Sequence, residues 1–143
     1  MMRSAIELAK QAALIDEVPI GAIVFDGKNI VGRGYNQKEK QLNPTAHAEI
    51  IAITDAAKTL GRWRLHGCTL AVTLEPCPMC AGAILNARLD KVVYGAHDYK
   101  AGACKTLFNI TDDSRLNHQC RVEGGILEKD CLELLQNFFK TKR

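Results

Sequence analysis

The sequence predicts an α/β fold. Apolar residues recur at helical spacing in four segments, and as alternating or short continuous runs of strand type in five others. The two kinds alternate along the whole chain, with proline, asparagine or glycine at most junctions. The 143 residues suffice for one buried core and are too few for a two-domain oxidoreductase or a full barrel. No repeat, low-complexity segment or linker divides them, so residues 1–143 are expected to form one domain.

Taken in order, Ser4 and Glu7 have the spacing of a capping box. Ala5, Leu8, Ala9, Ala12 and Ala13 follow as an amphipathic stripe, which Pro19-Ile20-Gly21 breaks. Ile20 to Phe25 reads as a strand, Asp26-Gly27 as a hairpin turn, and Ile30 to Tyr35 as the return strand. Residues 36–43 are polar and irregular. Asn43-Pro44 is predicted to cap and start a helix running to about Thr59–Leu60, where Gly61 closes it. Cys68, Leu70, Val72 and Leu74 alternate with Thr69, Ala71 and Thr73 in a strand. A second proline-initiated helix covers roughly Cys77 to Ala87, and Lys91 to Ala96 is a strand around Val92-Val93-Tyr94. The stretch 97–117 is long and polar, which predicts a functional loop or a short helix. Val122 marks a last short strand. Glu128 to Lys142 is a final helix, with a stripe at Leu127, Cys131, Leu134, Leu135 and Phe138.

Composition narrows the classes of function. Hydrophobic residues make up 47% and charged residues 24%, as in an ordinary globular domain. A net charge of +3 neither demands nor excludes a nucleic-acid partner, and 6% aromatics argue against a broad stacking platform for single strands. The longest apolar runs fall far short of the ~18 residues of a membrane span, so no membrane partner is expected. Met1 to Glu7 lacks the apolar stretch of a secretory signal, which predicts a cytoplasmic, reducing setting. The six cysteines, Cys68, Cys77, Cys80, Cys104, Cys120 and Cys131, are then buried small hydrophobes, metal ligands or nucleophiles.

Two stretches carry chemistry, Thr45-Ala46-His47-Ala48-Glu49 and Glu75-Pro76-Cys77-Pro78-Met79-Cys80, each at a predicted helix start. Cys77 and Cys80 are three apart, on one helical face, and close enough to bind one ion. His47 supplies a third ligand from the other helix. Three protein ligands leave tetrahedral zinc one position for a water, whose pKa the ion lowers towards neutrality. One zinc per subunit is therefore the expected cofactor. Glu49, two residues from His47, cannot share its direction on a regular helix and is read as a proton carrier beside the ion. Blander readings stay open: the C-x-x-C as a redox pair, and the H-x-E as a solvated helix face. His66-x-Cys68 with Cys77-x-x-Cys80 also offers a closed structural site. Against that, a seven-residue strand, about 23 Å long, carries His66 and Cys68 away from Cys77. Cys68, Cys104, Cys120 and Cys131 read as core residues, and His97 and His118 as surface or structural ones.

His47-x-Glu49 with Pro76-Cys77-x-x-Cys80 resembles the signature of the zinc nucleoside and nucleobase deaminases. Further segments resemble the tRNA-specific adenosine deaminase family: Glu17-Val18-Pro19-Ile20-Gly21-Ala22, Asn36, Thr73 to Ala83, Asn117-His118 and Gly124-Gly125-Ile126-Leu127. Val93-Tyr94-Gly95-Ala96 followed by Asp98-x-Lys100-x-Gly102-Ala103 is the most discriminating piece. Asn43 stands where that family has Asp, Ala71 replaces a bulkier residue, and Tyr99 is bulkier than the family's usual residue. The resemblance implies a three-layer α/β/α sandwich around a five-stranded mixed sheet. It implies a homodimer, with tRNA contacting both subunits, and hydrolytic conversion of adenosine to inosine at the wobble position of an anticodon. It also implies that hydroxide generated at zinc attacks the carbon bearing the exocyclic amine while Glu49 moves the protons. By the same resemblance Asn36 hydrogen-bonds the flipped nucleotide. Backbone groups of Ala48, Leu74 and Glu75 are expected to line the base pocket.

Arg62, Arg64, Lys140, Lys142 and Arg143 are the basic candidates for RNA contact. Phe138 falls on the core stripe, whereas Phe139 lies about 100° round the helix and joins Lys140 and Arg143 as an expected RNA contact. A short basic C-terminus is equally what a solvated helix end looks like. The nearest alternative is a deaminase of a free nucleobase or nucleoside of guanine or cytosine type. From another class comes a non-catalytic, zinc-stapled RNA-binding module, against which Glu49 argues, because a structural site needs no carboxylate beside the ion.

Overall fold

The computed structural model describes residues 1–142. Its elements run α1 (Met2–Leu14), β1 (Gly21–Asp26), β2 (Asn29–Tyr35), α2 (Ala48–Leu60), β3 (Cys68–Leu74), α3 (Pro78–Asn86), β4 (Lys91–Ala96), β5 (Arg121–Glu123) and α4 (Glu128–Lys140). The strands form one sheet in the order β2-β1-β3-β4-β5. β1 runs antiparallel to β2 and β3, and β3, β4 and β5 run parallel, so the sheet is mixed. Central β3 is covered on both faces. Its Cys68, Leu70 and Val72 join one core with Ala48, Ala52 and Ala56 of α2 and Ile84 and Leu85 of α3. Its Ala71 joins the other, with Met2, Ala5, Ile6 and Leu8 of α1 and Cys131 of α4. The result is the expected three-layer α/β/α sandwich around a five-stranded mixed sheet.

Small residues set the position of α2. A Cβ at Gly32 would stand 2.3 Å from the Ala52 carbonyl oxygen, and one at Gly34 2.4 Å from that of Ala48. Ala48, Ala52 and Ala56, four apart, form the matching helix face and are fully buried. With side chains absent on one surface and minimal on the other, the helix backbone rests on the strand. This contact fixes the N-terminus of α2, where His47 and Glu49 lie.

Element boundaries depart from expectation in instructive places. α1 starts at Met2, so Ser4 lies inside it, and no side chain caps it. Ala13 is exposed, while Met2 and Ile6 take places in the core. Asn43 does not cap α2. Its Oδ1 accepts from the Thr45 N–H at 3.0 Å and the Thr45 hydroxyl at 2.9 Å, closing a turn of its own. The helix begins only at Ala48, with His47 as N-cap in extended backbone (φ −76°, ψ 152°). At its other end Gly61 closes the helix in the left-handed conformation (φ 67°), as the sequence predicts. Leu127 precedes α4 as its N-cap, with φ 52°, and still packs against the core that Cys131 joins. The stretch 97–117 folds as turns, without a helix. Among the described residues no helix is long and apolar enough to cross a membrane.

Candidate active site

The ends of two helices meet at the end of one strand. β3 stops at Leu74, Glu75 and Pro76 turn the chain, Cys77 is the N-cap of α3, and Pro78 occupies its first turn. His47 is the N-cap of α2, and neither helix has a side-chain cap. The free amides of both helix starts therefore point towards the same space. There His47 Nδ1 lies 3.7 Å from Cys77 Sγ and 3.5 Å from Cys80 Sγ. All three ligand atoms fall within 4.8 Å of one another, and this is the one such group among the described residues. Tetrahedral zinc, with Zn–N of about 2.0–2.1 Å and Zn–S of about 2.3 Å, spaces an N and an S ligand about 3.6 Å apart. The donor set and its spacing fit that ion. His66 and Cys68 are not part of the group, because Cys68 begins β3 and Cys77 follows its far end.

The protons of this cluster are shared. The Cys80 thiol donates to Cys77, which pulls the Cys77 thiol down to about 4 and pushes Cys80 far up. The His47 imidazole is raised by its hydrogen bond to Cys77. A thiolate paired with imidazolium is the arrangement from which a cation displaces protons. Glu49, at the second position of α2, is 4% exposed, and burial pushes its carboxyl up to about 7. His47 precedes α2 as its N-cap, so the regular helical spacing expected between His47 and Glu49 does not apply. Its extended backbone is what turns the imidazole and the carboxylate into different directions.

A second carboxylate beside the ligands has the opposite surroundings. The Glu75 side chain is 2% exposed and accepts from the N–H groups of Asp98 (3.1 Å), Cys104 (3.1 Å), Lys105 (2.8 Å) and Thr106 (2.9 Å), and from the Thr106 hydroxyl. Burial alone would raise its carboxyl. The hydrogen bonds to Thr106, Lys105 and Asp98 outweigh that and hold it below its ordinary value. Its own N–H donates to the Ala96 carbonyl, so of its backbone only the carbonyl is open to a base. Sequence reasoning missed the side-chain role. The available signals were a carboxylate ending an apolar strand and Gly102 in the polar loop opposite it. Glu17 was likewise missed: it is buried and accepts from the N–H groups of Glu39 (3.1 Å) and Lys40 (2.7 Å).

Asn36 ends up beside His47 because the loop closes on itself, Gln37 N–H donating to the Ala46 carbonyl at 3.1 Å. Its amide is buried, with Oδ1 accepting from Lys38 N–H at 3.1 Å. Ala48 opens α2 and Leu74 closes β3, both at the site. Phe139 is 48% exposed and Lys140 is exposed, whereas Phe138 is half-buried under the Lys142 ammonium, 5.3 Å from its ring centroid. Lys142 also pairs with Asp16. Arg143 lies outside the described residues. Arg62 donates to the Arg64 carbonyl at 2.7 Å, and Arg64 stacks on Trp63 at 4.5 Å. Cys68, Cys104, Cys120 and Cys131 are buried. His97 and His118 make structural contacts, the first with Tyr94 Oη at 3.0 Å and the second with the Leu89 carbonyl at 2.8 Å.

The family profile of the MafB19-like deaminases matches residues 1–143. The tRNA-specific adenosine deaminase of Haemophilus influenzae is 49% identical over 144 residues, covering 100% of this chain and 83% of that protein. This chain belongs to the tRNA-specific adenosine deaminase family. The fold agrees with the family. A solved structure from a study of A-to-I editing by tRNA:A34 deaminases at the wobble position superposes with a TM-score of 0.89 and 40% identity, covering 94% of this chain and 97% of that one. A guanine deaminase structure from Bacillus subtilis is similar over less, with a TM-score of 0.64 and 39% identity, covering 67% of this chain and 62% of that one.

Proposed function

We propose that this chain hydrolyses adenosine to inosine at the wobble position of a tRNA anticodon, acting as one zinc-dependent deaminase domain over residues 1–143. The carrying observation is a three-ligand group with a buried carboxylate beside it, in a chain of this family. His47 Nδ1 and the Cys77 and Cys80 sulfurs fit one zinc ion, which when bound would supply an acidified water.

The chain's own residues do the rest. The start of α3 favours a thiolate at Cys77, because the helix dipole places partial positive charge there, and Cys80 would give up the proton it holds on binding a cation. Glu49 is buried beside the sulfurs, where burial raises its carboxyl in the metal-free chain, and it is the group placed to take and give a proton. Its carboxylate carries protons from the attacking water to the adenine ring nitrogen and then to the departing ammonia. Asn36 holds the flipped nucleotide through its amide, and the backbones of Ala48, Leu74 and Glu75 line the base pocket. Phe139, Lys140 and Arg143 contact the tRNA. A cytoplasmic homodimer completes the reading. The groove between α2 and α3, lined by Ile50, Ile53, Ala57 and Ala83 and rimmed by Trp63 at 56% exposure, supports the pairing.

The test is to incubate the protein with tRNA bearing wobble adenosine, with free adenosine and with guanine, and to follow deaminated product. Inosine in the tRNA is expected. Xanthine from guanine, with the tRNA unchanged, would replace this reading with that of a free-base deaminase.

A further inference from the structure

The reaction above leaves the buried Glu75 carboxylate without a task. Glu75 stands two residues before Cys77, and its carboxylate gathers both ends of one loop: the Asp98 amide at one end, and the Cys104, Lys105 and Thr106 amides at the other. With the Thr106 hydroxyl this makes five donors for a group with about four lone-pair sites, so no acceptor capacity remains for a substrate or an ion. The loop is pressed onto the carboxylate: a Cβ at Gly102 would stand 2.6 Å from Glu75 Cδ. It is also tied to the ligand segment itself, since Ala103 N–H donates to the Pro76 carbonyl at 2.9 Å. Within the loop, Asp98 Oδ1 accepts from the N–H groups of Lys100 (2.9 Å) and Ala101 (3.1 Å), which rigidifies the turn that carries Lys100. The exposed Lys100 then lines a groove whose other wall is α4, with Leu135, Phe139 and Lys140, and Lys142 just beyond the helix.

We propose that Glu75 is a positioning residue for the RNA: by holding both ends of the 98–106 loop, it fixes the groove between Lys100 and α4 relative to the metal ligands. This rests on tRNA being the substrate. The mechanical path from this loop to the ligand set is short, because loop anchor and ligands share the segment from Leu74 to Cys80. Glu75→Gln replaces one acceptor oxygen by an NH₂ group that faces N–H donors, so buried amides lose their partner and the loop lifts. Gly102→Ala pushes the same loop off the same carboxylate while leaving the charge in place.

The experiment measures kcat, KM and metal content with tRNA bearing wobble adenosine, for wild type, Glu75→Gln and Gly102→Ala, each with and without Lys100→Ala. KM should rise about tenfold in both single variants, with kcat within about threefold and metal unchanged. Lys100→Ala should raise KM in the wild type and add nothing in either variant, because that side chain is already misplaced. An unchanged KM, loss of metal without a change in KM, an additive effect of Lys100→Ala, or failure of both variants to fold would overturn the proposal. A wild type that deaminates no tRNA overturns the functional reading itself, and is recognised before any variant is made.

Discussion

Glu49 and Glu75 are two glutamates buried to nearly the same extent beside one set of ligands, and they hold their protons with opposite strength. Glu49 enters the site from the first turn of α2, and burial decides its state, raising it to about 7. Glu75 leaves the end of β3 and meets five donors, which reverse the effect of burial. Burial therefore does not by itself make a carboxylate a proton carrier. The donors that the surrounding backbone offers decide between a group that exchanges protons and one that anchors a loop.

The largest effects should come from the ligands that define the site. His47→Ala should abolish metal retention and turnover, while His66→Ala should leave both near wild type, read by metal analysis of the purified protein. The reverse result would move the ion to the His66 and Cys68 set. Glu49→Gln comes next. It should keep its metal and lose turnover by about 10²–10⁴, the usual worth of a positioned acid–base group. The third effect concerns α4, the groove wall opposite the loop that Glu75 holds. Phe139→Ala with Lys140→Ala should weaken tRNA binding and flatten its salt dependence by about one unit of slope, since one phosphate contact is lost, with metal content unchanged. An unchanged affinity would remove α4 from the RNA surface.

The smallest effect contrasts the two carboxylates directly through stability against pH. Glu75 is lowered on folding, so its contribution is complete above the ordinary carboxylate value of about 4.3 and is lost as pH falls through the lower folded value. Glu49 in the metal-free protein is raised, so its contribution is complete below about 4.3 and is lost as pH climbs through about 7. Denaturant melts of metal-free protein should show Glu49→Gln gaining on the wild type between about pH 4 and 7, and Glu75→Gln losing least in acid. Parallel curves for both variants would erase the contrast.

The grouping of His47, Cys77 and Cys80, the place of Glu49 near it and the order of elements are legible in the sequence because each rests on local spacing: C-x-x-C on one turn, H-x-E at a helix start, alternation in β3. The α2 start was misplaced because Asn43 has the chemistry of a cap and spends it on Thr45. Ser4 and Glu7 match a capping box that α1 does not use, since the helix already begins at Met2. Glu75 was read only as backbone because its donors lie 23 to 31 residues away, a distance that no local pattern encodes. Long-range satisfaction of a buried carboxylate is visible only once β3, β4 and the following loop are side by side.

In the proposed reaction a buried carboxyl beside three ligands moves the protons as adenosine in tRNA is deaminated. The most direct measurement follows inosine formation at the wobble position of tRNA by wild type and Glu49→Gln, both at measured metal content. Inosine is expected from the wild type and, from a fully metal-loaded Glu49→Gln, turnover lower by about 10² or more. Equal turnover by the two proteins, or no inosine from the wild type, would contradict it.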